Sequence, residues 1–197
     1  MHKLYSHKGI ILSSTGMGEK NNIVTIFSSG LGIIKAKAIS SRDAKAKLRG
    51  HIVPYTLGTY TFVRGKEGWR LIQADAEKNI LSSLNNLNKK KMAGKALKLL
   101  SAVSGEGEDD ELFNCVASAL ESLQSVDEYF LKTFEAVFIS RILFTLGYLS
   151  FEDLPQKLKE LNNFSEALLV EAKHHGKTLI SRINAGLQES QLTKAVY

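Results

Sequence analysis

Near Ala76 the hydrophobic period of the chain changes from two residues to three or four. Before that point short β-branched runs alternate with turn residues. After it, apolar residues recur at helical spacing. A chain broken in this way folds as strands followed by helices, an α+β organisation. The break divides the sequence into a part over 1–78 and a part over 79–197.

The first part reads as five strands. Gly9–Ser13 is a short apolar run, and Asn22–Phe27 is β-branched and followed by Ser-Ser-Gly-Leu-Gly. Ile33–Ile39 alternates, which sends Ile34, Ala36 and Ala38 to one face and Lys35 and Lys37 to the other. His51–Val63 is a long fourth strand with Pro54 at its entry. Arg64–Gly68 reads as a hairpin turn and Trp69–Asp75 as the fifth strand. Five short turn-linked strands fit a small closed barrel of the OB type, with an SH3-like barrel as the other candidate.

The second part reads as a bundle of five or six helices. Ile80, Leu81, Leu84 and Leu87 begin the helical stripe, and Met92, Ala96, Leu99, Leu100 and Val103 continue it. Ser104–Asp110 is a loop leading into an acidic helix start, which the helix dipole favours. Leu112, Val116, Ala119 and Leu123 form the next stripe. Tyr129–Leu149 is apolar on nearly all sides, so it is the expected central helix, ending near Gly147. Two further helices are expected over 154–174 and 177–191.

Charge follows the same division. Residues 1–78 hold 13 Lys and Arg against 5 Asp and Glu, a balance of +8; the remainder carries −2. Between Ala36 and Gly50 five cations (Lys37, Arg42, Lys45, Lys47 and Arg49) face one acid, Asp43. A basic loop on a β scaffold points to a polyanion, above all nucleic acid. Single-strand binding on such a barrel needs cations for phosphates and flat side chains for bases. The candidate cations are Lys35, Lys37, Arg42, Lys45, Lys47 and Arg49, with Arg64, Lys66 and Arg70 around the hairpin. Among Phe27, Tyr55, Tyr60, Phe62 and Trp69, Trp69 beside the basic turn is the one expected at the surface.

Other chemistry is not supported. Cys115 is the only cysteine, which excludes an intrachain disulfide and a multi-thiolate zinc site, and it reads as a small buried hydrophobe. Gly16-Met17-Gly18-Glu19-Lys20-Asn21 lacks the third glycine of a dinucleotide loop and the end of a P-loop, so it reads as a turn. His174 and His175 are adjacent and point about 100° apart on a helix, which suits a helix C-terminus better than a metal. The acidic run Glu106, Glu108, Asp109, Asp110 and Glu111 lacks calcium-loop spacing and reads as a solvated loop. No catalytic constellation assembles, so a non-enzymatic protein without cofactor or metal is expected. With no long apolar run and no leader-like N-terminus, a cytoplasmic location is expected.

One ordered set of short motifs goes further. It comprises Gly-Ile-Ile-Leu, Gly-Glu-Lys-Asn-Asn-Ile-Val-Thr-Ile-Phe (18–27), Gly-Leu-Gly (30–32) and Ala-Lys-Ala-Ile-Ser-Ser-Arg (36–42). Lys-Leu-Arg-Gly (47–50), Pro-Tyr-Thr (54–56), Arg-Gly (64–65) and Trp-Arg-Leu-Ile-Gln-Ala (69–74) follow. The set resembles the bacterial recombination mediator family RecO, and Phe134-Glu135 with Leu146-Gly147-Tyr148 is similar to that family's central helix. The resemblance implies an OB fold followed by a helical domain. It implies binding of single- and double-stranded DNA, strand annealing in the RecF pathway, and work with RecR, the tail of single-strand-binding protein and, indirectly, RecA on the nucleoid. It also marks Arg42 and Arg49, since the matching positions are basic. Many members carry a four-cysteine zinc module after the Leu-Gly-Tyr helix; here Leu149–Pro155 has no cysteine, and the chain is short for the family. A groove walled by Lys132 or Arg141 is the expected place for an acidic, hydrophobic tail. A protein-binding scaffold and a metal-dependent nucleic-acid hydrolase are the alternative readings.

Overall fold

The computed structural model describes residues 3–43, 45–152 and 154–190. Five strands form a closed barrel in the order β1-β2-β3-β5-β4, an OB-type ring. They are β1 (Leu4–Met17), β2 (Asn21–Ser28), β3 (Gly32–Ala38), β4 (Thr56–Gly65) and β5 (Gly68–Asn79). All pairings are antiparallel except β3 with β5.

β1 is much longer than the apolar run that marks it. Its first half pairs with β4, from Leu4↔Val63 to Ile10↔Leu57. Its second half pairs with β2, ending at Met17↔Asn21. A bulge between Ile11 and Ser13 bends the strand where it passes from one neighbour to the other. Only Gly9–Leu12 is buried, so only that stretch carries a hydrophobic signal. β4 begins later than expected. His51–Pro54 is loop, Ile52 is turned into the core, and Tyr55 at φ 65° reverses the chain before the strand. The barrel core is built from Ile11, Val24, Ile26, Ile34, Tyr60 and Phe62, with Ala36 and Ala38 on the expected inward face of β3. The Gly16–Asn21 glycine motif is the β1–β2 turn, with Gly18 at φ 63°.

The acidic run is largely exposed, as expected of a solvated loop, but its backbone is also docked on the barrel. Gly105–Asp110 belongs to the same compact unit as residues up to Ser83. The Ile33 amide donates to Gly105 O (2.8 Å) and the Gly107 amide to Leu31 O (3.1 Å), so this strap adds a short bridge to the start of β3. Gly32 makes the approach possible. It lies at φ 64°, and a Cβ there would fall 2.4 Å from Gly107 O and 2.5 Å from Gly105 O. Gly32→Ala is therefore expected to cost about 1–3 kcal/mol. Hydrogen exchange should show the Ile33 and Gly107 amides losing protection first; unchanged protection of both would contradict the account.

The second unit, Leu84–Ser104 with the described residues from Glu111 to Ser190, is helical. It contains α2 (Leu87–Val103, after the short α1, Ile80–Ser83, of the first unit), α3 (Asp110–Ser122, its first residue in the other unit) and α4 (Leu131–Thr145). α5 (Glu166–His174) and α6 (Gly176–Glu189) complete it. Asn86 caps α2 by accepting from the Asn88 and Lys89 amides. α4 is the central helix and packs against α2, α5 and α6. It starts later than expected because Asp127 caps a separate 3₁₀ turn over Glu128–Phe130, which leaves Tyr129 exposed. It ends as expected, with Gly147 at φ 79° and the Tyr148 amide returning to Leu143 O. In place of one helix over 154–174 there is a 3₁₀ turn, Gln156–Lys159, and then α5, whose last residue is His174. The last two residues of the expected helix over 177–191 run past α6, and residue 191 lies outside the described residues. Cys115 is fully buried. Among the described residues no helix is long and apolar enough to cross a membrane.

Candidate nucleic-acid interface

Two basic clusters lie on the barrel. The first is the connection between β3 and β4, anchored at its start by side chains. Ser41 Oγ donates to Ala38 O (2.8 Å) and accepts from Asn22 Nδ2 (2.9 Å), and the Ser40 amide donates to Asn21 Oδ1 (2.9 Å). The Arg42 amide donates to Lys20 O, and its guanidinium Nη1 donates to Gly18 O at 2.7 Å. The loop then turns tightly, with Ala46 N donating to Asp43 O and Arg49 N to Ala46 O. Leu48 packs against the core and Ile52 enters it, which leaves Lys45, Lys47 and Arg49 exposed. Among the described residues these three enter no ion pair. Arg42 and Arg49 line one cleft of about 430 Å³ together with Asn22 and Pro54. The loop is thus held at its ends and presents its charge outward.

The second cluster follows from the parallel pairing of β3 with β5. Lys35 and Lys37 point outward as the alternation requires, and Lys37 stands opposite Arg70. Gly65 pairs with Gly68, so Lys66 and Glu67 form the tip of a two-residue hairpin, and Gly68 takes φ 105°. Lys37 Nζ donates to Glu67 Oε2 at 2.7 Å, and that contact lowers the carboxyl pKa of Glu67. Arg64 reaches Glu106 of the strap at 4.0 Å and lies over the Trp69 ring at 5.2 Å. Two of the nine candidate cations, Lys37 and Arg64, therefore already have acidic partners.

Trp69 is corrected by the structure. It is 6% exposed, not a surface platform, because β5 alternation turns it inward while Arg70 turns out. It packs edge-on against Tyr5 (centroids 5.1 Å) and Phe62 (6.3 Å). Phe27, Tyr60 and Phe62 are fully buried as well, and Tyr55 is half-buried. Burial also raises the Tyr60 phenol pKa. The interface offers cations and hydrogen-bonding groups far more than stacking surfaces.

Arg141 is also corrected. It walls no groove: it is fully buried in α4, donating to Leu158 O, Leu161 O and Asn163 O. Lys132 is exposed, and it lines a cleft of about 410 Å³ with Lys91, Met92, Lys95, Leu131 and Glu135. Lys91 and Lys95 escaped the sequence reading, although their i,i+4 spacing places them on one helix face.

The comparisons with known proteins agree with the barrel. Residues 1–79 match the family model "Recombination protein O N terminal". Over its barrel, this chain is similar to the N-terminal domain of the RecO family. The DNA repair protein RecO of Rubrobacter xylanophilus is 26% identical over 145 residues, 74% of this chain and 58% of that protein. The RecO of Dehalococcoides mccartyi is 31% identical over 134 residues, 66% of this chain and 53% of that protein. The RecO of Gloeothece citriformis is 36% identical over 75 residues, 38% of this chain and 26% of that protein. The chain spans less than three-fifths of the length of each of these relatives.

Proposed function

We propose that this chain is a non-enzymatic DNA repair and recombination mediator that binds single- and double-stranded DNA and anneals complementary strands. The observation that carries the reading is the exposed 42–49 loop, fixed to the barrel at both ends and presenting four cations. Phosphate contacts of this kind bind without regard to sequence and release counterions. Neutralising phosphates on two strands lets them approach and pair without ATP. With the aromatics in the core, phosphate contact rather than base stacking supplies most of the affinity. RecR, RecA and single-strand-binding protein are the proposed partners, in the cytoplasm and on the nucleoid. The Lys132 cleft is the proposed seat of an acidic tail, since three lysines outnumber the two glutamates, Glu128 and Glu135, that line it beside Met92 and Leu131.

Strand annealing by the wild type and by an Arg42→Glu/Lys45→Glu/Lys47→Glu/Arg49→Glu variant tests this. The variant is expected to bind a single-stranded oligonucleotide at least about tenfold more weakly and to anneal correspondingly slowly. Its salt slope should fall by about 1 for each phosphate that the loop no longer neutralises. Equal annealing by both proteins would remove the loop from the mechanism, and binding with no salt slope would remove the DNA reading.

A further inference from the structure

The cleft beside the Gly65–Gly68 hairpin has a composition that a general backbone track does not require. Its volume is about 240 Å³, with Lys37, Lys66 and Arg70 on its walls and Trp69 contributing to its lining. Trp69 is more than nine-tenths buried, and among the described residues its Nε1–H has no acceptor. A buried donor left without a partner is rare in folded proteins. An anion drawn into the cleft by the three cations comes to rest beside this indole.

The charge around the cleft is also specific. Three cations and Glu67 leave a balance of +2. An internal phosphodiester carries one negative charge, whereas a phosphomonoester carries about −1.5 to −2 near neutral pH. Lys37 already holds a carboxylate, so an entering anion has to compete with Glu67. That side chain is 83% exposed at a hairpin tip and can swing away without disturbing the barrel. A dianion competes for Lys37 better than a monoanion does.

We propose that this cleft receives the terminal phosphate of a DNA strand, so that the barrel distinguishes phosphorylated strand ends from hydroxyl ends. The proposal rests on the DNA-binding reading above and adds an end-recognising subsite to it. Three internally labelled oligothymidylates test it: one with a 5′-phosphate, one with a 3′-phosphate, and one with hydroxyls at both ends. On the wild type at low salt, one phosphorylated form is expected to bind about fivefold tighter than the hydroxyl-ended strand, the upper range for an exposed ion pair. In Lys66→Gln/Arg70→Gln protein the ratio of the two affinities should fall to about 1, a loss of that exposed ion-pair term. Trp69, the only tryptophan in the chain, should change its emission with that phosphorylated strand and not with the hydroxyl-ended one.

Equal affinity for all three strands, or a preference that survives in the variant, would overturn the subsite while leaving DNA binding in place. Binding of none would remove the DNA reading itself. An emission change produced as strongly by inorganic phosphate at equal concentration would assign the cleft to free phosphate and overturn the strand-end proposal.

Discussion

Replacing Arg141 with alanine is expected to destabilise the helical unit by about 3–5 kcal/mol, the cost of leaving several buried carbonyls without a donor. The guanidinium is fully buried, and it serves three backbone carbonyls of the segment after α4: Leu158 O (3.3 Å), Leu161 O (3.3 Å) and Asn163 O (2.7 Å). It also lies over the Phe164 ring at 4.5 Å. Burial lowers its pKa to about 10, which still leaves it charged at neutral pH. Alanine removes the charge and orphans the carbonyls, each worth about 1–3 kcal/mol when left buried and unpaired. Lysine restores a charge but not the planar fork, so Arg141→Lys should recover only part of the stability. Urea unfolding followed by circular dichroism at 222 nm measures both variants. An Arg141→Ala midpoint equal to that of the wild type would show that the carbonyls find other partners.

Arg141 also shows where a sequence is ambiguous. Two contrary signals meet at this residue: arginine usually stands at a surface, yet Tyr129–Leu149 has no polar face to carry it. A helix apolar on all sides buries whatever it contains. What no local pattern contains is the 158–163 segment whose carbonyls receive the charge, because those acceptors are main-chain atoms 17 to 22 residues away.

The barrel was more legible because period two is a local property. The β3 alternation places Ile34, Ala36 and Ala38 inward and Lys35 and Lys37 outward without reference to any partner strand. Strand ends were less legible. β1 and β5 continue through polar residues whose pairing is set by neighbours, such as Met17 on Asn21 and Asn79 on Thr56. The Gly105–Asp110 strap was invisible for the same reason: it docks through backbone atoms on both sides, and glycine composition does not announce a partner. At the site, the positions of the loop cations could be read but their partners could not. Gly18 O for Arg42, Glu67 for Lys37 and Glu106 for Arg64 all lie more than 20 residues distant in sequence.

Trp69→Ala should lower the stability of the barrel by about 3–5 kcal/mol, as truncation of a large buried aromatic does. This separates the two roles that a tryptophan on a nucleic-acid-binding barrel can play. A stacking platform stands in solvent, so its removal weakens DNA binding and leaves folding intact, at about 1–3 kcal/mol per stacked base. Trp69 instead packs edge-on against Tyr5 and Phe62, with the Arg64 guanidinium over its ring. Its removal opens a cavity among Tyr5, Phe62 and Leu71, and the β3–β5 pairing that opposes Lys37 to Arg70 rests on that packing. Calorimetry is therefore expected to show a clearly lower transition temperature for Trp69→Ala. Phenylalanine keeps most of the ring volume, so Trp69→Phe should restore most of the stability. A variant that unfolds at the wild-type temperature yet binds single strands poorly would return Trp69 to the surface role that its place beside a basic turn suggests. The measured order of the three proteins decides between packing and stacking, because packing predicts a stability series and stacking predicts an affinity series.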